Sequence, residues 1–342
     1  MTTIKDIAKR VGVSPSTVSR VINGTASISE ETKKKIHAAM KEMDYHPNSL
    51  ARSLVNGNSF TIGLVIDAGD RDAFSNAFFI QSVSAIEMVT QERGYNLLIT
   101  NDTNGENNNT VKNLVLEHKV DGIILPVSSM KQELIELMTS NHFPFVVMGE
   151  PNDNVENICW VDMDNEQGGS LAVDHLLQQG YQHPVLFVEN KGTMFEKKRI
   201  MGFKNGYEKN NMIWDACNIV ECGSDNHSII SQVKKILNGE QHVDSIICTN
   251  NIVAYHVLHQ LKKGGKMVPD DVGVMTFDNF PLAEYMEPAL TVVDVDTYKL
   301  GEQAAIALFD EIKQENEQKE TTRISTRIIP RKSTIHGKEA CR

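Results

Sequence analysis

Residues Ile4 to Gly24 read IKDIAKRVGVSPSTVSRVING, and the organisation of the chain follows from this stretch. Ile4, Ile7, Ala8 and Val11 keep the spacing of one helical stripe and leave Lys5, Lys9 and Arg10 outside. Gly12 stands where the backbone must leave that helix, because glycine takes a positive φ without a Cβ clash. Val13 plugs the corner, Ser14 suits the N-cap of a second helix, and Pro15 suits its first position, where no N–H is needed. Val18, Val21 and Ile22 form the second inward stripe, and Ala8 is small where the two helices cross. Pro15, Ser16, Ser19, Arg20 and Asn23 stay outward. They are short polar groups and one long donor fork, side chains suited to base edges in a major groove. The spacing alone also fits a two-helix corner of an ordinary bundle.

Ser29 can cap a third helix running to about Met43, with Glu30 and Glu31 in the first turn, where the helix dipole favours anions. Ile36, Ala39, Met40 and Met43 then close a small three-helix core. Charge is divided unevenly over the 342 residues. Residues 1 to 58 hold nine Lys/Arg against five acids, a net of +4, which leaves −15 of the total −11 on the remainder. A basic head on an acidic body meets phosphates at one end only.

Composition sets further bounds. Hydrophobic residues at 40% and charged residues at 23% are ordinary for a globular chain long enough for two or three domains. Cys159, Cys217, Cys222, Cys248 and Cys341 are odd in number and scattered, without zinc spacing, which predicts reduced thiols. No apolar signal core opens the chain and no run approaches a membrane span, so a cytoplasmic protein is expected. The GGK at 264–266 lacks the upstream glycine of a P-loop, and NDTNGENNN at 101–109 lacks calcium-loop spacing. His256 and His259 have no evident third ligand, and there is no nucleophile elbow or dinucleotide fingerprint. Neither an enzyme nor a cofactor or metal site is predicted.

From Thr61 onward short apolar runs alternate with amphipathic stretches. The runs IGLVI at 62, NLLIT at 96, GIIL at 122 and FVVM at 145 are followed by a second series, VLFV at 185, SIIC at 245 and VGVMTF at 272. Runs of this length between helices predict parallel strands buried on both faces, in two doubly wound α/β subdomains.

The run TIKDIAKRVGVSPSTVSRVING from Thr3, followed by Pro47, Asn48, Ala51, Arg52, Ser53 and Leu54, resembles the head of the LacI/GalR family of bacterial transcription regulators, and the likeness extends over nearly the whole chain. It implies an α/β protein with a helix-turn-helix head at 1–46, a hinge helix and linker at 47–60, and two subdomains of the periplasmic-binding-protein type. The expected boundaries are 61–161 plus 291–322 for the first subdomain and 162–290 plus 323–342 for the second. It assigns DNA contacts to Thr3, Ser14, Pro15, Ser16, Ser19, Arg20 and Asn23 in the head and to Asn48, Arg52 and Leu54 in the hinge. A helix barely two turns long is marginal in water, so the hinge should form only with its dimer mate, with Leu54 as the apolar wedge in the minor groove. Without the resemblance, Leu50 and Leu54 equally fit a linker packed on the body.

The resemblance also places a small-molecule effector between the subdomains, at the carboxyl ends of the strands. Arg199 stands in RIMGF, which looks like the family's R-x-x-G-F motif, and a guanidinium fork can donate to two vicinal hydroxyls at once. Asp278, ending VGVMTFD, matches an acidic ligand position, although it could instead cap the next turn. Asn250 matches another cleft position, while Asn251 stands where the family often has aspartate. Phe78 and Phe79 are candidate aromatic contacts or core residues, and Glu150 and Asp67 are further candidates. The implied partners are operator DNA, a small effector, most simply a sugar, and a second copy of the chain, with no membrane. Purine sensing and a phosphoprotein-partnered global regulator share these motifs, and the look is nearest to maltose-type operon repressors. A sugar-binding transport protein lacks the head. The tail from Arg331 has no apolar heptads, so a dimer rather than a tetramer is expected.

Overall fold

The computed structural model describes residues 2–23, 28–45, 57–67, 77–102, 110–152, 157–313 and 319–336. Three helices form the head, α1 (Ile4–Val11), α2 (Pro15–Asn23) and α3 (Glu30–Glu42). Gly12 ends α1 at φ 79°, and its N–H and that of Val13 both close on the Ala8 carbonyl, at 2.9 and 3.0 Å. The predicted caps are present, since Ser14 Oγ accepts the Thr17 N–H at 3.1 Å and Ser29 Oγ accepts that of Thr32 at 3.4 Å. Ile7, Val18 and Ile36, one from each helix, have no solvent exposure. An exposed ion pair, Arg10 to Glu42 at 3.0 Å, joins the first helix to the third. The hinge positions Asn48, Arg52 and Leu54 lie outside the described residues.

The body holds two six-stranded sheets. The first contains β1 (Thr61–Asp67), β2 (Asn96–Asp102), β3 (Gly122–Pro126), β4 (Phe145–Met148), β5 (Trp160–Met163) and β11 (Thr321–Ile324), in the order β11-β5-β4-β3-β1-β2. The second contains β6 (Pro184–Val188), β7 (Ile219–Glu221), β8 (Ser245–Cys248), β9 (Gly273–Phe277), β10 (Thr291–Asp294) and β12 (Arg327–Ile329), in the order β12-β10-β9-β8-β6-β7. All pairings are parallel except the short β12, which runs antiparallel to β10. Both sheet faces are covered by helices, which is why Val185, Leu186, Phe187 and Val188 are all fully buried instead of alternating. The strand order reverses between β1 and β3 and again between β6 and β8, and these switch points are where such folds receive ligands.

The sheets move the expected boundaries: β5 runs to Met163 in the first sheet, so the first crossover lies at 164 and not between 161 and 162. Strand β10 pairs with β9, so the chain returns to the first subdomain at 295–296, beyond the expected 291. The helix that follows, α12 (Thr297–Lys313), then buries Leu300, Ala304, Ala305 and Leu308 in the first core. Strand β11 still belongs to the first sheet, so the last crossover lies at 325–326 and not at 323. An apolar run such as Thr291–Asp294 reads the same whichever sheet it joins, and only its hydrogen-bonded neighbour decides.

The remaining body helices are α4 (Ala77–Glu92), α5 (Thr110–Leu116), α6 (Gln132–Ser140), α7 (Asn165–Gln178), α8 (Met194–Lys209), α9 (Asn226–Leu237), α10 (Asn251–Lys263) and α11 (Pro281–Tyr285). The α7 and α8 pair crosses in backbone contact. A Cβ on Gly202 would lie 1.9 Å from the Glu166 carbonyl oxygen, and one on Gly169 would lie 2.4 Å from that of Arg199. The glycine of RIMGF is therefore explained by packing, and this close crossing sets Arg199 against the first residue of α7. Cys159, Cys222 and Cys248 are buried free thiols and Cys217 is an exposed one. No helix among the described residues is long and apolar enough to cross a membrane.

Candidate functional site

On the head, Ser14, Pro15, Ser16 and Arg20 are exposed along the start and outer face of α2, and Ser19 is half-buried. Thr3 is exposed beside the start of α1, where its hydroxyl donates to Asp6 at 2.7 Å, and its N–H donates to the same carboxylate at 2.8 Å. Those bonds hold Asp6 below the ordinary aspartate range. The side chain of Asn23 lies outside the described residues.

The second region lies at the carboxyl ends of β6, β8 and β9. Arg199 on α8 is only 6% exposed. Its Nε donates to Asn165 Oδ1 at 3.0 Å, and its Nη1 donates to the Thr249 carbonyl at 2.7 Å and hydroxyl at 3.2 Å. The guanidinium lies over Phe277, with Cζ 4.0 Å from the ring centroid, and near Phe195 at 5.1 Å. Among the described residues Nη2 makes no hydrogen bond. The arginine is thus held by neutral acceptors and a ring, and among the described residues half its outer fork is unclaimed and no carboxylate is in salt-bridge contact.

Asp278 follows β9 at φ 71°, a left-handed conformation uncommon for a residue with a Cβ. Its backbone N–H donates to Val293 at 3.1 Å, while Oδ1 is enclosed and has no partner. Burial raises its carboxyl above the ordinary range, and the charge of Arg199 opposes that only in part. It does not cap the next helix, because Phe280 holds that position.

Asn250 has both amide atoms occupied within the protein. Its oxygen caps α10 through the N–H groups of Ile252 and Val253 at 3.0 and 2.9 Å, and its nitrogen donates to Glu189 at 2.9 Å. The unmet oxygen belongs to its neighbour. Asn251 is 4% exposed and donates to the Asp278 carbonyl at 2.9 Å, leaving its Oδ1 without a partner.

Glu196, which sequence reasoning did not select, is fully buried one helical turn before Arg199. Its Oε1 accepts the Thr249 hydroxyl at 2.7 Å and the Glu189 N–H at 3.1 Å, and its Oε2 has no partner. Burial raises its carboxyl; Arg199, the Thr249 hydroxyl and the Glu189 N–H act against it. The only sequence signal for it is its i, i+3 spacing from Arg199, which puts both on one face of the helix.

Glu150 is paired within the protein. It is bound by Lys198 of α8 at 2.9 Å and by Arg323 of β11 at 3.0 Å. Although burial raises its carboxyl, bonds from Arg323 and Lys198 hold it below the ordinary range. It edges a separate pocket of about 400 Å³ that Asn165, Lys198 and Arg323 also line and Arg199 does not. The pair with Lys198 links the first subdomain to the second. The side chains of Phe78, Phe79 and Asp67 lie outside the described residues. No group of three metal-ligating side chains occurs among the described residues.

A helix-turn-helix head on a two-lobed, doubly wound body defines a DNA-binding regulator as a class. Residues 3–48 match the model of bacterial regulatory proteins of the lacI family, and residues 173–334 match the periplasmic binding protein-like domain. The chain is 30% identical over 341 residues to the HTH-type transcriptional repressor PurR of Vibrio atlanticus (strain LGP32), covering 98% of this chain and 99% of that one. Of solved structures, the lac repressor dimer bound to operator and the anti-inducer ONPF aligns with a TM-score of 0.77 at 23% identity, over 98% of this chain and 99% of that one. The complex of transcriptional regulator CelR with cellobiose aligns with a TM-score of 0.73 at 24% identity, over 97% and 100%. These two likenesses show the fold.

The chain belongs to the LacI family of bacterial regulatory proteins and is a DNA-binding transcriptional repressor. The family is one of regulators, not enzymes.

Proposed function

We propose that the chain acts in the cytoplasm as a homodimer whose operator affinity is controlled by a small ligand, a sugar, bound between the two α/β subdomains. The observation that carries this reading is the setting of Arg199, buried and fixed by Asn165, Thr249 and Phe277 with Nη2 unclaimed among the described residues, together with Asp278, whose enclosed Oδ1 has no partner and whose carboxyl feels the charge of Arg199. A donor fork and a free acceptor together suit vicinal hydroxyls.

The working parts are the head at 1–46, the hinge at 47–60, and two subdomains exchanging chain near 164, 295 and 325. Helix α2 enters the major groove, with Arg20 reading a base edge and Ser16 and Ser19 beside it. Thr3 and Ser14, whose hydroxyls already serve the starts of α1 and α2, bring those helix ends to phosphates. Asn48, Arg52 and Leu54 act in the minor groove. Pairing of two copies is supported by exposed apolar side chains on both subdomains. Met88 on α4 is 48% exposed and Leu98 on the edge strand β2 is 38% exposed; Tyr255 on α10 and Tyr285 on α11 are 50% and 80% exposed.

A purine base as the effector is the second reading, favoured by the name PurR carried by the relative at 30% identity. Binding of operator DNA by the intact chain and by one starting at Asn58, each with and without sugars or purine bases, tests both readings. The intact chain should bind and respond to one ligand, and the truncated one should not bind. An intact chain that ignores every ligand removes the effector reading.

A further inference from the structure

Among the described residues three enclosed side-chain atoms have no hydrogen-bond partner: Glu196 Oε2, Asn251 Oδ1 and Asp278 Oδ1. They come from α8, α10 and the turn after β9, yet they meet around one end of one sheet. Asn251 holds the Asp278 carbonyl, Thr249 joins Glu196 to Arg199, and the charge of Arg199 acts on both Glu196 and Asp278. All three atoms are acceptors. Each buried acceptor left unmet costs about 1 to 3 kcal/mol, so their coincidence at one place points to a molecule that supplies the missing donors.

The charge balance narrows what that molecule is. Two carboxyls face a single guanidinium, and that guanidinium already gives Nε and Nη1 to the protein. An anion entering here would meet two buried carboxyl oxygens in a poorly screened setting, with one free N–H edge to hold it.

We propose that Glu196 contacts the ligand directly and that, with Asn251 and Asp278, it makes the cleft a receptor for an uncharged molecule offering at least three O–H or N–H donors. The proposal rests on the reading of this cleft as the effector site. Neutral sugars and purine bases share the required chemistry; phosphorylated and carboxylated sugars do not.

Glu196 is well placed to select. Its Oε1 is anchored by Thr249 and Glu189, so Oε2 is fixed in direction. Glu196→Gln keeps the shape and the anchored oxygen but replaces the free acceptor with a donor, which reverses what the ligand must present.

The test is calorimetric titration of the full chain with glucose, maltose, cellobiose, ribose, hypoxanthine and guanine, against glucose 6-phosphate. An uncharged member is expected to bind, sugar or base being read from which one does. Glucose 6-phosphate is expected to bind more weakly than it does. For that probe Glu196→Gln should lower affinity by about tenfold or more, the loss of one charge-assisted hydrogen bond. Near-ultraviolet circular dichroism checks folding, and Glu196→Asp, which withdraws the carboxylate by one methylene, should show a similar loss if the glutamine variant misfolds. Tighter binding of glucose 6-phosphate than of any neutral probe overturns the proposal, as does silence across the panel. Unchanged affinity in both Glu196 variants, with loss in Arg199→Ala, overturns the role of Glu196 and leaves the cleft reading standing. Unchanged affinity in all three removes the cleft reading itself.

Discussion

Arg199 donates its Nε–H to Asn165 Oδ1 at 3.0 Å, tying the cleft arginine to the residue that opens the helix just after the first crossover. Asn165 donates in turn to Asp162 Oδ2 at 3.4 Å, and that carboxylate accepts the Glu150 backbone N–H at 3.0 Å. Hydrogen bonds therefore run without a break from Arg199 in the second subdomain to a strand end of the first. Any ligand that shifts Arg199 acts on a group already joined to both subdomains.

Arg199→Ala should keep operator affinity and lose the response to effector. The expected loss is the whole coupling free energy, typically about 1 to 3 kcal/mol. Operator titrations with and without the bound ligand measure it in wild type and variant, and reciprocity requires DNA to change wild-type ligand affinity by the same factor. A variant that responds normally takes Arg199 out of the site, and tighter wild-type DNA binding with ligand makes that ligand a co-repressor.

Glu196→Gln should raise the melting temperature of the ligand-free protein at neutral pH. The folded-state carboxyl is raised by burial above its ordinary value, so the folded chain binds the extra proton between the two values and wild-type stability falls as pH rises through that window. Below the ordinary glutamate range both states are protonated and the advantage of the variant should vanish. Melting curves of both proteins from acid to neutral pH check the sign. A constant difference across that range would mean that ionisation of Glu196 is not linked to folding.

Gly202→Ala should destabilise the body, because the added Cβ would lie 1.9 Å from the Glu166 carbonyl and both partners are backbone. Overpacking of this kind costs about 1 to 3 kcal/mol or more, a fall of roughly 2 °C or more in Tm for a body of this size. Separating α7 from α8 also loosens the contact of Arg199 with Asn165, so ligand affinity should fall with stability. An unchanged Tm would show that the crossing can widen freely.

Arg20→Ala should cost about 1 to 3 kcal/mol on the cognate operator and relax specificity at one base pair. Binding to a set of single-base operator variants distinguishes this from a phosphate contact, which would weaken all sequences alike and reduce the salt dependence.

Leu54→Ala should weaken operator binding while Tm and ligand affinity stay close to wild type, as expected of a wedge that unstacks a base step. Melting curves beside operator titrations decide the matter. A large drop in Tm would make Leu54 part of a packed core.

The sequence by itself determined the head, because its signals are local. The stripe of Ile4, Ile7, Ala8 and Val11, the left-handed Gly12 and the caps at Ser14 and Ser29 all act within a few residues, and the structure forms each of them. It also determined that the body is made of parallel strands, since runs such as Val185–Val188 are apolar on both faces. Tertiary structure decided which sheet each run joins, moving the return crossover past Thr291–Asp294. It also decided which candidate residues keep free hydrogen-bonding atoms. Arg199 and Asp278 stand out in their motifs, but Asn250 is consumed as a helix cap and Glu150 by Lys198 and Arg323, while Glu196 and Asn251 are left with unmet oxygens. Hydrogen-bond capacity is spent or spared by neighbours far away in the chain, and those neighbours are brought together only by the strand order at the switch point.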